Sequence, residues 1–311
     1  MNQFDVVYAI GNGSRWHDNE LRFSLRAIEK NLKGVRNIVI VGKQPNFIDK
    51  NNVIFIPADD PLQSNADGNI ALKVMKACMD ERISEDFLFI NDDHIINAPM
   101  HVSDIGFYHC GNFESFPETF WHSELHRQRL KRTYEVLRKK GYSTFHFDIH
   151  VPIIINKKKF LEIVPTFDFK FDIGYTMKSI YANPVVPANK KEHVGDLKIK
   201  IFNFKTLEKL KEIFESATFI SYNDNGLNGY LKYFLAYYLS LPSKYETYDM
   251  EKDPVIHILE YLSIENRDYK KGVELYNKYG RNTNLKVIFR HKESEKTREK
   301  LMYKLAQLCE S

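Results

Sequence analysis

Residues 4–42 read FDVVYAIGNGSRWHDNELRFSLRAIEKNLKGVRNIVIVG, and this stretch decides the fold class. FDVVYAI at 4–10 is a short β-branched and aromatic run that stops at Gly11-Asn12-Gly13-Ser14, a turn signal placed directly after a strand. From Asn19 to Lys33, Leu21, Leu25, Ile28 and Leu32 recur at helical spacing. NIVIVG at 37–42 then supplies a second strand. A strand, a helix and a strand in that order form a βαβ unit, which requires a parallel sheet with helices on its faces.

The pattern continues outward. VIFIP at 53–57 is a further strand, and Ile70 to Met79 has helical spacing. DFLFI at 86–90 is apolar nearly throughout, as a central parallel strand must be, and it ends abruptly at Asn91-Asp92-Asp93-His94. Glu124 to Lys140 reads as a charged helix, and HVPIIINKKKFLEIV at 150–164 as a strand running into a helix. Residues 165–200 hold no sustained period and read as loops and short elements. TLEKLKEIFES at 206–216 and GYLKYFLAYYL at 229–239 read as helices flanking the strand ATFISYND at 217–224. Beyond Met250 the composition turns helical and polar. The expected organisation is one mostly parallel α/β domain over residues 1–250 with a helical C-terminal appendage over 251–311.

Composition narrows the function classes. Hydrophobic residues at 43% and charged residues at 28%, with 22 Phe and 18 Tyr, exclude a disordered solvating chain. A net charge of +4, from 45 basic and 41 acidic residues, is too small a surplus to identify a nucleic-acid binder. Cys78, Cys110 and Cys309 are few, odd in number and far apart, so neither a disulfide framework nor a cysteine zinc site is expected. MNQFDVVYAI enters a strand-like run without a basic flank and apolar segment, and the longest apolar run, YFLAYYLSL at 233–241, is far shorter than a membrane span. A reducing, cytoplasmic location is therefore expected, with any membrane contact peripheral.

Ligands of open α/β sheets collect outside the carboxyl ends of the strands. Asp92 and Asp93 stand at such an end. Two adjacent carboxylates repel each other unless a cation or hydrogen bonds neutralise them, and Mg2+ or Mn2+ meets that need while bridging to a diphosphate. A turn or cap role answers the same pattern. His150, entering an apolar run, has the chemistry to relay a proton or donate to a phosphate. In Asn223-Asp224-Asn225-Gly226, Asp224 is a candidate third metal ligand, and Asn223 and Asn225 are candidate sugar contacts. Arg22 and Arg26, four apart, share one helix face and suit a phosphate or a pairing with Asp18. Asn12, Gly13 and Ser14 would bring backbone N–H groups toward a nucleotide, although the turn matches neither a Walker loop nor the dinucleotide fingerprint.

Taken in order, these blocks resemble the Stealth family of sugar-1-phosphate transferases, which includes capsule polymerases and the lysosomal-enzyme GlcNAc-1-phosphotransferase. FDVVYAIGNGS at 4–14 is similar to its opening strand and turn, with Ala9 and Gly11 in place of the usual Thr and Val. RWHDNELRFSLRAIEKNLKGVRNIVIVGKQPNFI at 15–48 is similar to its Asp-Asn, Glu-Leu-Arg and Ser-Leu-Arg block. FLFINDDHII at 87–96 resembles the Asn-Asp-Asp block, HVP at 150–152 the His-x-Pro block, and FISYNDNGLNGYLKYFLAYYLSLPSKYE at 219–246 the closing block with its Pro-Ser-x-x-Glu. NADGNIALKVMK offers Asn65, Asp67, Asn69 and Lys73 where the family carries a Glu, and Lys170 stands where it places an Arg.

The resemblance implies a GT-A-like nucleotide-binding core and an acceptor hydroxyl that attacks the phosphorus next to the sugar, expelling a nucleoside monophosphate. It further implies a metal at Asp92, Asp93 and Asp224, phosphate contacts from Arg22, Arg26 and Lys170, and a substrate contact from Asn69. Acceptor activation would fall to Asp5 and His150, with Asp93 at the reacting centre. Expected partners are a nucleotide-sugar donor and a glycan or polysaccharide acceptor. Three rival readings remain open: a GT-A glycosyltransferase that moves the sugar itself, glycosylation of a modified nucleic-acid base, and a non-catalytic carbohydrate-binding protein.

Overall fold

The first βαβ unit forms where the spacing puts it: β1 (Phe4–Ile10), α1 (Asn19–Asn31), a two-residue β2 (Leu32–Lys33) and β3 (Val35–Gly42). This computed structural model describes residues 3–117, 121, 124–202, 207–227, 229–239 and 241–247, so the appendage expected over 251–311 lies outside the described residues. Next come β4 (Val53–Pro57), α2 (Ala66–Met79), β5 (Asp86–Ile90), β6 (His94–Ile96), β7 (Met100–His101), β8 (Phe107–His109) and α3 (Leu125–Lys139). The chain continues through β9 (Ile153–Asn156), α4 (Lys157–Ile163), α5 (Met177–Val185), β10 (Lys191–His193), β11 (Lys198–Ile201), α6 (Leu207–Ser216), β12 (Phe219–Tyr222) and α7 (Gly229–Tyr238).

The main sheet runs β4-β3-β1-β5-β9. Its first four strands are parallel, and β9 closes it antiparallel to β5. Alternation sorts each strand's side chains between two cores. Val7, Val39, Val41, Phe87 and Phe89 face one core with α2, α4 and α5, while Val6, Tyr8, Ile38, Ile40, Leu88 and Ile90 face the other with Leu21, Leu25 and Ile28 of α1. Each such side chain, taken fully out of water, contributes about 1.5–3 kcal/mol.

A smaller sheet, β11-β12-β6, leans on the carboxyl edge of the main one, with β12 parallel to β11 and antiparallel to β6. Its outer face is covered by α6 and α7 through Leu210, Ile213, Phe214, Leu231 and Leu235. The region 165–200, expected to hold loops and short elements, contains the nine-residue α5, β10 and the start of β11. Their short lengths and the Pro184 inside α5 hide any sustained period. The helix expected from Ile70 begins earlier because Asn65 caps it, its side chain accepting from the Gly68 N–H at 2.8 Å. Among the described residues no helix is long and apolar enough to cross a membrane.

Candidate functional site at the carboxyl edge

Connections leave the sheet in opposite directions on either side of the β1–β5 boundary, since β3 and β4 lie beyond β1 while β9 lies beyond β5. Open α/β sheets bind ligands at this kind of switch point. Asp92 and Asp93 follow β5 at the boundary, both partly exposed. The loop that carries them is fixed by α1: the Ser24 hydroxyl donates to the His94 carbonyl at 2.7 Å, and the Asn31 amide donates to the Ile96 carbonyl at 2.7 Å.

Asp93 meets two imidazoles. His94 Nε2 is 3.4 Å from Asp93 Oδ1, and His150 Nδ1 is 3.4 Å from Asp93 Oδ2. One ligand atom from each of Asp93, His94 and His150 falls within 4.8 Å of the others. His94 is 2% exposed, yet neither of its ring nitrogens has a hydrogen-bond partner, nor does His150 Nδ1. Buried polar atoms left this way are costly, and a cation removes the cost. His150 Nε2 lies 2.7 Å from the Lys200 ammonium nitrogen, and Nδ1 is the nitrogen that faces Asp93. The residue adopts φ 55, a left-handed backbone that histidine takes only at a cost of about 1–3 kcal/mol. Strain here aims the ring at Asp93.

Asp92 looks the other way. Burial, then Asp93 and Glu20, push its carboxyl up to about 7. Burial also raises Glu20, which is 7% exposed and accepts from the Ser14 hydroxyl at 2.8 Å. The buried Tyr222 hydroxyl has no partner and sits in the field of Glu20, Asp93 and Asp92. The β1 side of the site is therefore acidic. The β9 side is basic: burial lowers Lys178 to about 8 and Lys198 to about 8, and it lowers Lys200 as well. Asp148 stands among them; burial raises its carboxyl, but His126, His150 and Lys178 outweigh that and hold it well below the usual range.

Several expected residues lie elsewhere. Asp5 is fully buried at the amino end of β1, roughly 20 Å of strand from the carboxyl edge. Its carboxylate accepts from Arg36 at 2.9 and 2.5 Å, Asn37 at 3.0 Å and the Ser84 N–H at 2.6 Å, so it is a structural anion and not an acceptor base. Arg22 and Arg26 do not face a phosphate. Arg26 donates through Nε and Nη2 to the two Glu246 oxygens at 3.0 Å each, and Arg22 Nη1 donates to Oε2 at 2.7 Å, all buried. Asn69 closes the 62–69 loop by exchanging hydrogen bonds with the Leu62 backbone at 3.0 and 2.8 Å. Lys170 is exposed in a groove lined by Met75, Pro165 and Phe167, apart from every site residue.

Asp224 is exposed and pairs with Arg15 at 3.5 Å, outside the cluster that Asp93 forms. Asn223 accepts from the Gly226 N–H at 2.9 Å as an ordinary turn, and Asn225 is exposed. Of the first turn, Ser14 lines the β1 side through Glu20, while Asn12 and Gly13 are exposed on the same loop. The structure thus brings together Asp92, Asp93, His150 and Ser14 from the sequence expectations. It adds Glu20, His94, Asp148, Lys178, Lys198, Lys200 and Tyr222. Two of these carried a readable signal: in LKIKIF at 197–202 lysines alternate with isoleucines, the period of a strand with one polar face.

No known family model matches this chain, nor does any curated protein. Among solved structures it is similar to the galactosyltransferase LgtC in complex with donor and acceptor sugar analogs, at 11% identity, covering 75% of this chain and 95% of that one with a TM-score of 0.41. It is also similar to the glycosyltransferase GlyE of Streptococcus pneumoniae, at 9% identity over 84% of this chain and 73% of that one, TM-score 0.42. Mouse xyloside xylosyltransferase 1 is similar at 7% identity over 73% and 99% of the respective chains, TM-score 0.37. Overlays this loose identify no activity.

Proposed function

We propose that this chain is a divalent-metal-dependent transferase acting on a nucleotide-activated sugar through a GT-A-like core, and that it moves a sugar-1-phosphate to a glycan or polysaccharide hydroxyl as the Stealth resemblance implies. The observation that carries this reading is the cluster at the β1–β5 switch point, where Asp93 faces two imidazoles with three partnerless nitrogens. The donor set fits a metal. Contacts of 3.4 Å are close to the edge of roughly 3 Å expected between neighbouring ligands of a small cation. Two nitrogens and a carboxylate suit Mn2+ better than Mg2+, which prefers oxygen throughout.

Asp93, His94 and His150 would hold the ion, with Asp92 beside it, and the ion would supply charge neutralisation to a donor diphosphate. This assignment makes His150 a ligand in place of an acceptor base. Ser14 and Glu20 would line the nucleotide side of the crevice. On the opposite side Lys178 and Lys200 bring positive charge next to Asp93, the kind of fixed electrostatics that stabilises phosphoryl transfer. We assign this transferase to residues 1–250 and a helical appendage to 251–311; the Ile48–Glu246 bridge, which returns the chain to the main domain, supports that boundary.

Incubation with manganese and a panel of nucleotide-sugars, followed by identification of the released nucleotide, tests the reading. A nucleoside monophosphate marks phosphoryl transfer. A nucleoside diphosphate would replace it with glycosyl transfer on the same site, and an absence of both manganese binding and nucleotide release would leave a non-catalytic protein.

A further inference from the structure

β11 carries Lys198 and Lys200 two residues apart, and residues so spaced share one face of a sheet. Register extends that face. Lys200 pairs with Ser221, and Ser221 pairs with His94, so a lysine, a serine and a histidine form one row across three strands. Ser221 is fully buried and His94 is 2% exposed, and the serine hydroxyl and both histidine ring nitrogens lack partners. Lys178 arrives from α5, 4% exposed, its ammonium held by the Val151 carbonyl at 2.7 Å. The Lys198 ammonium meets no hydrogen-bond or ion-pair partner among the described residues.

Three ammonium groups thus crowd one side of the site against Asp93 and Asp148, and Asp93 is the carboxylate a metal would take. Like charges crowded out of water repel strongly unless an anion shares them. Their side matters too. They lie toward β9, whereas Glu20, Asp92 and the Gly11–Ser14 loop lie toward β1, where the switch point would seat the nucleotide. The acceptor would approach from the β9 side. Ammonium and hydroxyl donors grouped there match an oxygen anion, which only accepts; a neutral sugar would leave three ammonium groups against Asp148 alone once a metal takes Asp93.

Resting on the transferase reading above, we propose that the acceptor carries its own anionic group, a phosphate or a carboxylate, seated on Lys198, Lys200 and the Ser221 hydroxyl with Lys178 behind them. The test titrates the full chain, by calorimetry without metal, with a hexose, the corresponding hexose 6-phosphate and the hexuronate. The same three sugars are then offered as acceptors in the manganese and nucleotide-sugar assay. At least tenfold tighter binding, or tenfold greater stimulation of nucleotide release, is expected for one anionic sugar over the neutral one. The phosphate and uronate arms identify which anion.

Lys198→Gln and Lys200→Gln should each remove that preference, Lys198→Arg should restore it, and the exposed Lys139→Gln should leave it intact. Circular dichroism establishes that each variant is folded. Equal treatment of charged and neutral sugars, or a preference that survives both glutamine variants, overturns the proposal. So does a result in which the lysine variants raise only the KM for the nucleotide-sugar, because the cations then belong to the donor. An anion preference that depends on the lysines in a protein releasing no nucleotide would instead retain the subsite and reject the transferase.

Discussion

At the scale of single residues, the site depends on Asp93, among the described residues the one carboxylate paired with both imidazoles. Asp93→Ala is expected to lower nucleotide release by about two orders of magnitude, as loss of a central electrostatic group does. It should also weaken manganese binding, which calorimetry reads directly. His150 gives a sharper, two-sided expectation. Its left-handed backbone is one that asparagine adopts more readily, so His150→Asn should keep or raise the melting temperature while manganese affinity falls. A variant that lost stability together with affinity would make His150 a structural residue. The acidic pair was legible in the sequence because two adjacent acids ending an apolar strand need a reason. His94 was not, since a histidine opening an apolar run looks like any core residue until its two bare nitrogens are seen. Asp5 misled because its role rested on the family resemblance, whereas its place at the start of β1 puts it at the amino edge of a parallel sheet, away from the strands' carboxyl ends.

At the scale of elements, α1 does two jobs. Its inner face buries Leu21, Leu25 and Ile28, and its two arginines grip Glu246, whose oxygen Oε1 is also met by the Ser243 N–H and hydroxyl at 2.9 Å. Breaking a buried ion pair from one side costs about 3–5 kcal/mol, so Glu246→Gln should lower the unfolding free energy by that order in denaturant melts. Burial raises the Glu246 carboxyl, but Arg26 and Arg22 outweigh it and the net shift is downward from 4.5. A folded pKa below the unfolded one gives stability that is present above pH 4.5 and is lost as pH falls through the folded value. Stability of the wild type should therefore decline more steeply with acid below about pH 4.5 than that of Glu246→Gln. The strands at 53–57 and 86–90 were legible to the residue because their apolar runs end in turn chemistry. For the arginine pair the spacing suits a phosphate or an acid such as Asp18 equally, because helical spacing shows which residues share a side, and not that Glu246 covers it.

At the scale of the molecule, a parallel sheet followed from the first βαβ unit, but two features escaped the sequence. Antiparallel β9 looks no different from a parallel strand in composition, and of the β11-β12-β6 sheet only β12 was expected, as ATFISYND, while β6 and β11 hold three and four residues, with the alternation in LKIKIF as the one sign of β11. The two short strands β6 and β11 supply His94, Lys198 and Lys200, which explains why the fold was easier to read than the site. A metal that binds only the folded state stabilises it by mass action. Manganese at a hundred times its Kd should add about 2.7 kcal/mol and raise the melting temperature, an effect that a chelator reverses and Asp93→Ala abolishes. The clamp on α1 also sets an order of events during synthesis. Glu246 emerges from the ribosome 224 residues after Arg22 and 220 after Arg26, so a nascent chain carries two guanidinium groups without their counter-ion for most of its translation. The helix that steadies the Asp-Asp loop is clamped only then, and a chain released short of residue 246 should be cut more readily along α1 in limited proteolysis.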